Sequence, residues 1–168
     1  IITEPYVYLS VIFDGRAETH NSNMYFQNKK GSFDFVLKNI KSLLERNIKF
    51  GVVTVVGPGT VEYLNDEIKY LNELGIQHIE LSLDIWSSWD SEALERLQKS
   101  ITTCAEYWIQ GLPDYTLNWF DDKAAQLTDS GIKPITCGFG KGDITVTPSG
   151  HLYPCERLVE DDRLDNPM

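Results

Sequence analysis

Cysteine is scarce in this sequence of 168 residues: the three present, Cys104, Cys137 and Cys155, are an odd number and too few for the disulfide framework of a small secreted domain. Metal ligation or plain burial explains them better. Positive charge is also short, with 15 Lys and Arg against 25 Asp and Glu and a formal net charge of -10. That balance argues against nucleic acid and anionic membrane as partners, because both demand clustered cations. No apolar run approaches the roughly 20 residues of a membrane-spanning helix, and the amino end lacks the basic-then-apolar pattern of a leader. The expectation is a cytoplasmic chain with no membrane attachment. Low-complexity segments are absent too.

What remains is enough for one core, since the chain is 42% hydrophobic and 24% charged. Tyr6-Val-Tyr-Leu-Ser-Val-Ile-Phe13 is rich in β-branched and aromatic residues and stops at Asp14-Gly15, which predicts a largely buried strand. After a polar loop, Ser32 is placed to cap a helix whose apolar residues Phe33, Val36, Leu37, Ile40, Leu43 and Leu44 recur at helical steps. Phe50 to Val56 is a second apolar strand; Gly57-Pro58-Gly59 turns it into a helix capped by Thr60, with Val61, Leu64, Ile68 and Leu71 as its stripe and Gly75 as its end. His78 to Leu83 is a third strand, followed by a helix opened by Asp90 or Ser91 that carries Leu94, Leu97, Ile101, Cys104 and Trp108 on one face. Three strand–helix units predict an α/β fold with a parallel sheet, either a partial barrel or a doubly wound sheet.

The pattern changes after Gly111. Asn118 to Ser130 reads as a fourth helix, and beyond Lys133-Pro134 the chain is rich in glycine and turns. Residues 143–147 and 151–153 read as two short strands around Pro148-Ser149-Gly150. The expected division is 1–134 and 135–168. Residue 1 enters almost directly into a strand and the last residues add no closing element, so both ends are expected to be cuts in a longer protein.

Cys137 and Cys155 flank that hairpin, which would bring two thiolates together while its glycines let backbone amides approach an anionic sulfide cluster. From spacing alone, two buried reduced cysteines serve as well. The surrounding residues are more specific. Twelve residues separate Cys137 from Gly150 and four separate Gly150 from Cys155, with Thr147-Pro148-Ser149-Gly150 as the turn and Tyr153-Pro154-Cys155 as the ending. This resembles the opening of the SPASM domain of radical S-adenosylmethionine enzymes, where both cysteines bind an auxiliary [4Fe-4S] cluster together with later cysteines that this chain lacks.

A second resemblance to the same enzymes lies upstream. Phe13-Asp14-Gly15, His20-Asn21 and Gly31-Ser32-Phe33 are similar to the Ser-x-Asp-Gly, His-Asp and Gly-x-Phe elements that follow the fourth strand of their barrel. The resemblance implies that the chain is the later half of a partial TIM-like barrel, three β/α units, joined to the first hairpin of a SPASM domain. It places Asp14 and Gly15 near the S-adenosylmethionine site. Two positions depart from pattern: Ile12 stands where the serine is usual and Met24 where an arginine is usual, which removes polar handles for the cofactor's amino-acid group. The Cys-x-x-x-Cys-x-x-Cys trio that binds the radical-generating cluster would precede residue 1.

The implied activity is modification of a peptide or protein by a 5′-deoxyadenosyl radical, using S-adenosylmethionine and [4Fe-4S] clusters in the complete protein; the 168-residue chain alone is expected to be inactive. The alternative is a relative without catalysis that kept the architecture as a peptide-binding or interaction module, which Ile12 and Met24 favour.

Other residues admit a structural reading beside a chemical one. Asp84 ends the third strand, where barrel sites are built, and is either a proton-transfer group or a loop carboxylate. Trp86 and Trp89 either cover a substrate or pack on the rim. Gly57-Pro58-Gly59 either offers amides to an anion or is a plain turn. His20 and His151 are weaker ligand candidates, and Cys104 sits on an apolar helix face as core. A three-stranded slice also leaves a strand edge and an apolar face unpaired, so self-association is expected.

Overall fold

A computed structural model describes residues 8–111, 114–128, 144–155 and 158–159. The chain divides into two compact units, residues 1–129 and 130–168.

The first unit is built on a parallel sheet of β1 (Leu9–Ile12), β2 (Phe50–Val56), β3 (His78–Leu83) and β4 (Thr116–Leu117), in that order. Helices connect them: α1 (Ala17–Asn23) and α2 (Phe33–Glu45), then α3 (Leu64–Glu73) after a short 3₁₀ turn, then α4 (Ser91–Gly111), and α5 (Asn118–Thr128) after the last strand. A strictly sequential order of parallel strands is what successive crossovers give when each helix returns along the same side of the sheet. The partial-barrel arrangement of strand–helix units is therefore present, and it has a fourth unit that the sequence pattern did not reveal. Two residues of strand are too few to leave a periodic signal. The strand exists because His78 pairs with Thr116 and Ile79 with Leu117.

Register shows how the two faces differ. Leu9 pairs with Phe50, Val11 with Val52, Val52 with Ile79 and Thr54 with Leu81, so these side chains share the face under the helices. Ile40, Val52, Ile68, Leu71, Ile79 and Leu117 are wholly buried there, each large aliphatic contributing about 1.5–3 kcal/mol. Ile12, Val53 and Glu80 lie in register on the other face, with Val55 and Ser82 beside them, and these stay exposed or half-exposed.

Five local expectations are corrected. β1 is not a largely buried strand: Leu9 and Val11 are half-buried, while Ser10 and Ile12 lie exposed on the open face. Residues 17–23 form a helix and not a loop, because Thr19 and His20 are buried and anchor the turn. Ser32 begins α2 without capping it; its hydroxyl is engaged elsewhere. Thr60 likewise makes no cap bond into the helix, since its Oγ1 accepts from the Gly57 amide at 3.2 Å. On α4 Cys104 is buried and Leu97 and Trp108 pack on the core as expected, but Ala93 and Ser100 share that face while Leu94 is 50% exposed and Ile101 is 37% exposed. Small residues let the helix approach closely enough for Ser100 Oγ to reach the Val61 carbonyl at 3.0 Å. Apolar periodicity alone finds only part of such a face. The start of α4 is as expected, with Asp90 Oδ1 accepting from the Ala93 amide at 2.7 Å.

In the second unit, β5 (Thr145–Val146) pairs antiparallel with β6 (Leu152–Tyr153). Gly150 at φ 89° closes the turn, and its amide donates to the Thr147 carbonyl at 2.9 Å. Among the described residues no helix is long and apolar enough to cross a membrane.

Candidate functional site

Parallel strands point all their carboxyl ends to one edge, and the loops there gather side chains from separate parts of the sequence. The edge begins at β1. The Phe13 amide donates to the Val53 carbonyl at 2.9 Å and Thr54 Oγ1 donates to the Phe13 carbonyl at 3.1 Å, continuing the pairing past the strand. Asp14 then turns inward. Its side chain is fully buried, with Oδ1 accepting from the Val55 amide at 2.8 Å and Oδ2 from Asn23 Nδ2 at 3.4 Å. Burial raises its pKa, the two hydrogen bonds opposing that shift and the nearby Glu67 carboxylate adding to it.

His20 is part of the same structure. Its Nδ1 accepts from the Asp14 amide at 3.2 Å and its Nε2 lies 2.9 Å from Ser32 Oγ, which donates onward to the Met24 carbonyl at 3.1 Å. The backbone donor fixes Nδ1 as the acceptor, so the neutral ring carries its proton on Nε2. Burial depresses the pKa, in keeping with a neutral imidazole. His20 is thus a brace between β1 and α2, its ring tilted against Phe13 and Phe33 and both its nitrogens committed.

The residues that sequence reasoning missed are Arg16, Thr19 and Glu67. Glu67 comes from α3, is 3% exposed, and accepts from the Arg16 amide at 2.7 Å, from Arg16 Nε at 3.3 Å and from Thr19 Oγ1 at 2.7 Å. Gly15 makes the approach possible: it sits at φ 108°, and a Cβ there would stand 2.1 Å from Glu67 Oε2. The signal was available, because Glu67 interrupts the buried stripe of Leu64, Ile68 and Leu71. A carboxylate on an apolar stripe asks for partners. A cleft of about 470 Å³ opens beside this clamp, lined by Arg16, Glu18, Ser22, Thr60, Tyr63 and Asp66 among others.

The loop after β2 is closed on itself. The Thr60 and Val61 amides donate to the Gly57 carbonyl at 3.1 and 3.0 Å and the Gly57 amide donates to Thr60 Oγ1 at 3.2 Å, so Gly57-Pro58-Gly59 forms a turn in which these three amides are engaged. After β3, Asp84 organises its own loop. Oδ1 accepts from the Trp86 and Ser87 amides at 3.0 and 3.2 Å, Oδ2 meets Ser87 Oγ, and the Asp84 carbonyl accepts from Trp89 Nε1 at 2.8 Å. Trp89 packs on the core, whereas Ile85 and Trp86 project, Trp86 being 76% exposed. At β4, Asn118 Oδ1 accepts from the Leu81 amide at 2.8 Å, its side chain standing in for a strand residue.

Ile12 lies at this edge on the open face and is 51% exposed, while Met24 is half-buried and contributes its backbone to α1 and Ser32. Lower on that face, the Tyr8 phenol lies over Gly51, where an added Cβ would be 2.5 Å from Oη and 3.1 Å from Glu80 Oε1. Partial burial and then the Glu80 charge raise the Tyr8 pKa. Away from the edge, the Cys104 thiol is buried, bonded to Asn65 Oδ1 at 3.0 Å, and pushed up to about 12 by desolvation, which fits core and not ligation.

In the second unit Cys155 is half-buried just after β6. His151 is held through Nδ1 by Ser149 Oγ at 3.0 Å. Cys137 lies outside the described residues, so the meeting of the two thiols is an expectation from their spacing.

No family model matches the chain. It is similar to a cysteine-type anaerobic sulfatase-maturating enzyme of Clostridium novyi (strain NT), with 25% identity over 167 residues, 92% of this chain and 44% of that protein. Among solved structures, hexahistidine-tagged anSMEcpe with bound AdoMet matches with a TM-score of 0.72 at 18% identity, over 90% of this chain and 42% of that one. Native anSMEcpe with bound AdoMet and the Cp18Cys peptide matches with a TM-score of 0.68 at 19% identity, over 90% and 45%. The resemblance to radical S-adenosylmethionine enzymes read from the motifs is borne out in sequence, and the fold matches part of theirs. The chain spans less than half the length of these relatives.

Proposed function

We propose that this chain is part of a radical S-adenosylmethionine enzyme that modifies a peptide or protein. The observation that carries the reading is the buried edge at Asp14 and Gly15. The motif expected near the cofactor is there built into a fixed scaffold, at the carboxyl ends of the strands of a sheet shaped like part of a maturase. When bound, S-adenosylmethionine and a reduced iron–sulfur cluster supply a carbon-centred radical that abstracts hydrogen from substrate.

The chain's own residues have roles around that chemistry. Asp14 and Gly15 hold the end of β1 in place rather than contacting the cofactor through a side chain, since the Asp14 carboxylate faces inward. Ile12, Val53 and Val55 offer an apolar strip on the open face, which fits the less polar part of S-adenosylmethionine. Its charged amino-acid part would be held by groups other than positions 12 and 24. Cys155, a half-buried thiol after a short hairpin, suits a cluster ligand, with Cys137 as its partner and further thiolates from elsewhere. Asp84 fixes the loop that presents Ile85 and Trp86 to a peptide. The 168 residues contain no Cys-x-x-x-Cys-x-x-Cys, so this length of chain is inactive by itself.

Anaerobic reconstitution of the complete protein with iron and sulfide, followed by an assay for 5′-deoxyadenosine, tests the proposal. Formation of the nucleoside above background is expected. Its absence from a fully loaded protein would favour a non-catalytic interaction module.

A further inference from the structure

We infer that the hairpin joining α1 to α2, together with the outer face of α2, is a docking surface for an acidic protein segment. Residues 24–49 hold six of the chain's 15 basic residues and only two of its 25 acidic ones, a local excess of four positive charges in a chain of net charge -10. Lys29, Lys30, Lys38 and Lys41 are all exposed, and among the described residues none of them makes an ion pair. Such segregation leaves a positive face on a negative molecule, which orients an acidic partner toward it and repels that partner elsewhere.

Apolar anchors stand among these charges. Tyr25 is 51% exposed, Phe26 43% and Phe35 61%, with Phe26 and Phe35 edge to face at 5.8 Å and Lys29 Nζ 4.3 Å above the Tyr25 ring. Exposed aromatics beside unpaired cations have the composition of a binding hot spot. An open groove of about 500 Å³ continues along α2, lined by Leu37, Lys38, Lys41 and Ser42 with the two acidic residues of the segment, Asp34 and Glu45, at its ends.

The hairpin is also preorganised. Tyr25 bridges to Gly31, the Phe26 amide donates to the Lys30 carbonyl at 2.9 Å, and the Lys30 amide to Asn28 Oδ1 at 3.0 Å. Lys29 takes the left-handed conformation at φ 63°, and a Cβ on Gly31 would stand 2.3 Å from the Asn21 amide group. A loop already held in one shape loses little entropy on binding. The apolar anchors favour a protein segment over a bare polyanion, because nucleic acid and lipid headgroups meet the lysines and leave Phe26 and Phe35 without an apolar counterpart.

The test is fluorescence anisotropy of the full chain with a labelled synthetic peptide that alternates glutamate with leucine. Vesicles of phosphatidylcholine with phosphatidylserine and a labelled single-stranded oligonucleotide run beside it. The acidic peptide is expected to bind, and K29E/K30E to weaken it about tenfold or more. F26S/F35S is expected to weaken it about fivefold with the salt dependence retained. K99E/K123E, two exposed lysines on other helices, is expected to leave binding unchanged. Equal loss in K99E/K123E, no peptide binding, or preference for the vesicles or the oligonucleotide would each overturn the inference. The measurement needs no cofactor, so it stands or falls apart from the radical reading.

Discussion

Two loops at the same edge of the sheet, the one after β1 and the one after β3, are built on opposite plans. After β1 the chain goes inward: Asp14 and His20 are buried, Gly15 lets α3 deliver Glu67 against the backbone, and Arg16 and Thr19 close over it. After β3 the chain goes outward: Asp84 folds its own turn, and Ile85 and Trp86 project. The first loop is tied to three other elements. The second is joined to β2 through the Asp84 amide and to the core through Trp89, with the Asp84 carboxylate bonded to the Trp86 and Ser87 amides of its own turn. Long-range ties fix position and local ties permit substitution, so the first should respond to mutation in stability and the second in recognition.

The largest effect should come from Gly15→Ala. A methyl group there adds left-handed strain to a clash with the Glu67 carboxylate, and together these should cost about 3 kcal/mol or more. Urea unfolding followed by circular dichroism would measure it, and a loss below about 1 kcal/mol would mean that the edge relaxes and the contrast between the loops is overstated.

Next comes Glu67→Ala, which strands the Arg16 and Thr19 donors and should cost about 2–3 kcal/mol, since Arg16 is half-exposed and water replaces part of what it loses. The pair sharpens the point. In the Glu67→Ala background, Gly15→Ala should cost about 1 kcal/mol less than alone, the carboxylate clash being gone while the φ strain remains. Strict additivity in the double mutant would deny the contact.

Acid should also act on the first loop. The folded-state pKa of His20 is lowered by burial, so the unfolded chain binds the proton more readily. The stabilising contribution is complete above the unfolded value near 6.5 and is lost as pH falls below it toward the folded value, with a slope of at most about 1.4 kcal/mol per pH unit. Asp14, raised by burial, has the opposite sign, and its contribution is complete only below an unfolded value of about 3.8. Urea midpoints taken between pH 7.5 and 5.5, roughly the window in which a histidine titrates, should fall with pH, and His20→Gln should flatten the slope. An unchanged slope would remove His20 from the account.

The contrast explains what the sequence disclosed. Strands β1 to β3 and helices α2 and α3 were legible because wide apolar stripes fix them, and the motif resemblance pointed to the carboxyl ends. The buried face of α4 was legible only in part: Leu97, Cys104 and Trp108 belong to the expected stripe, whereas Ala93 is too small and Ser100 too polar to mark a periodicity. The clamp was not legible, because Glu67 is about fifty residues from Gly15, Arg16 and Thr19 and meets them only when α3 packs against the segment after β1. Asp84 was legible as a position but not as a role, since a strand-end carboxylate looks the same in sequence whether it faces substrate or its own loop.

That ambiguity yields the smallest effect. Asp84→Asn keeps an oxygen for the Trp86 and Ser87 amides and removes the charge, so a turn-former should lose about 0.5 kcal/mol or less and leave the proposed activity of the complete protein near that of the unaltered one. A group that moves a proton would instead lose about 10²–10⁴-fold in rate with stability unchanged. Trp86→Ala provides the matching control, because a ring that is 76% exposed contributes little to folding. A rise in KM for peptide, with kcat and unfolding midpoint unchanged, would show the outward loop engaged in recognition. If Trp86→Ala lowered the unfolding midpoint as much as Glu67→Ala, the two loops would not differ in kind, and the division between a fixed edge and a contacting one would fail.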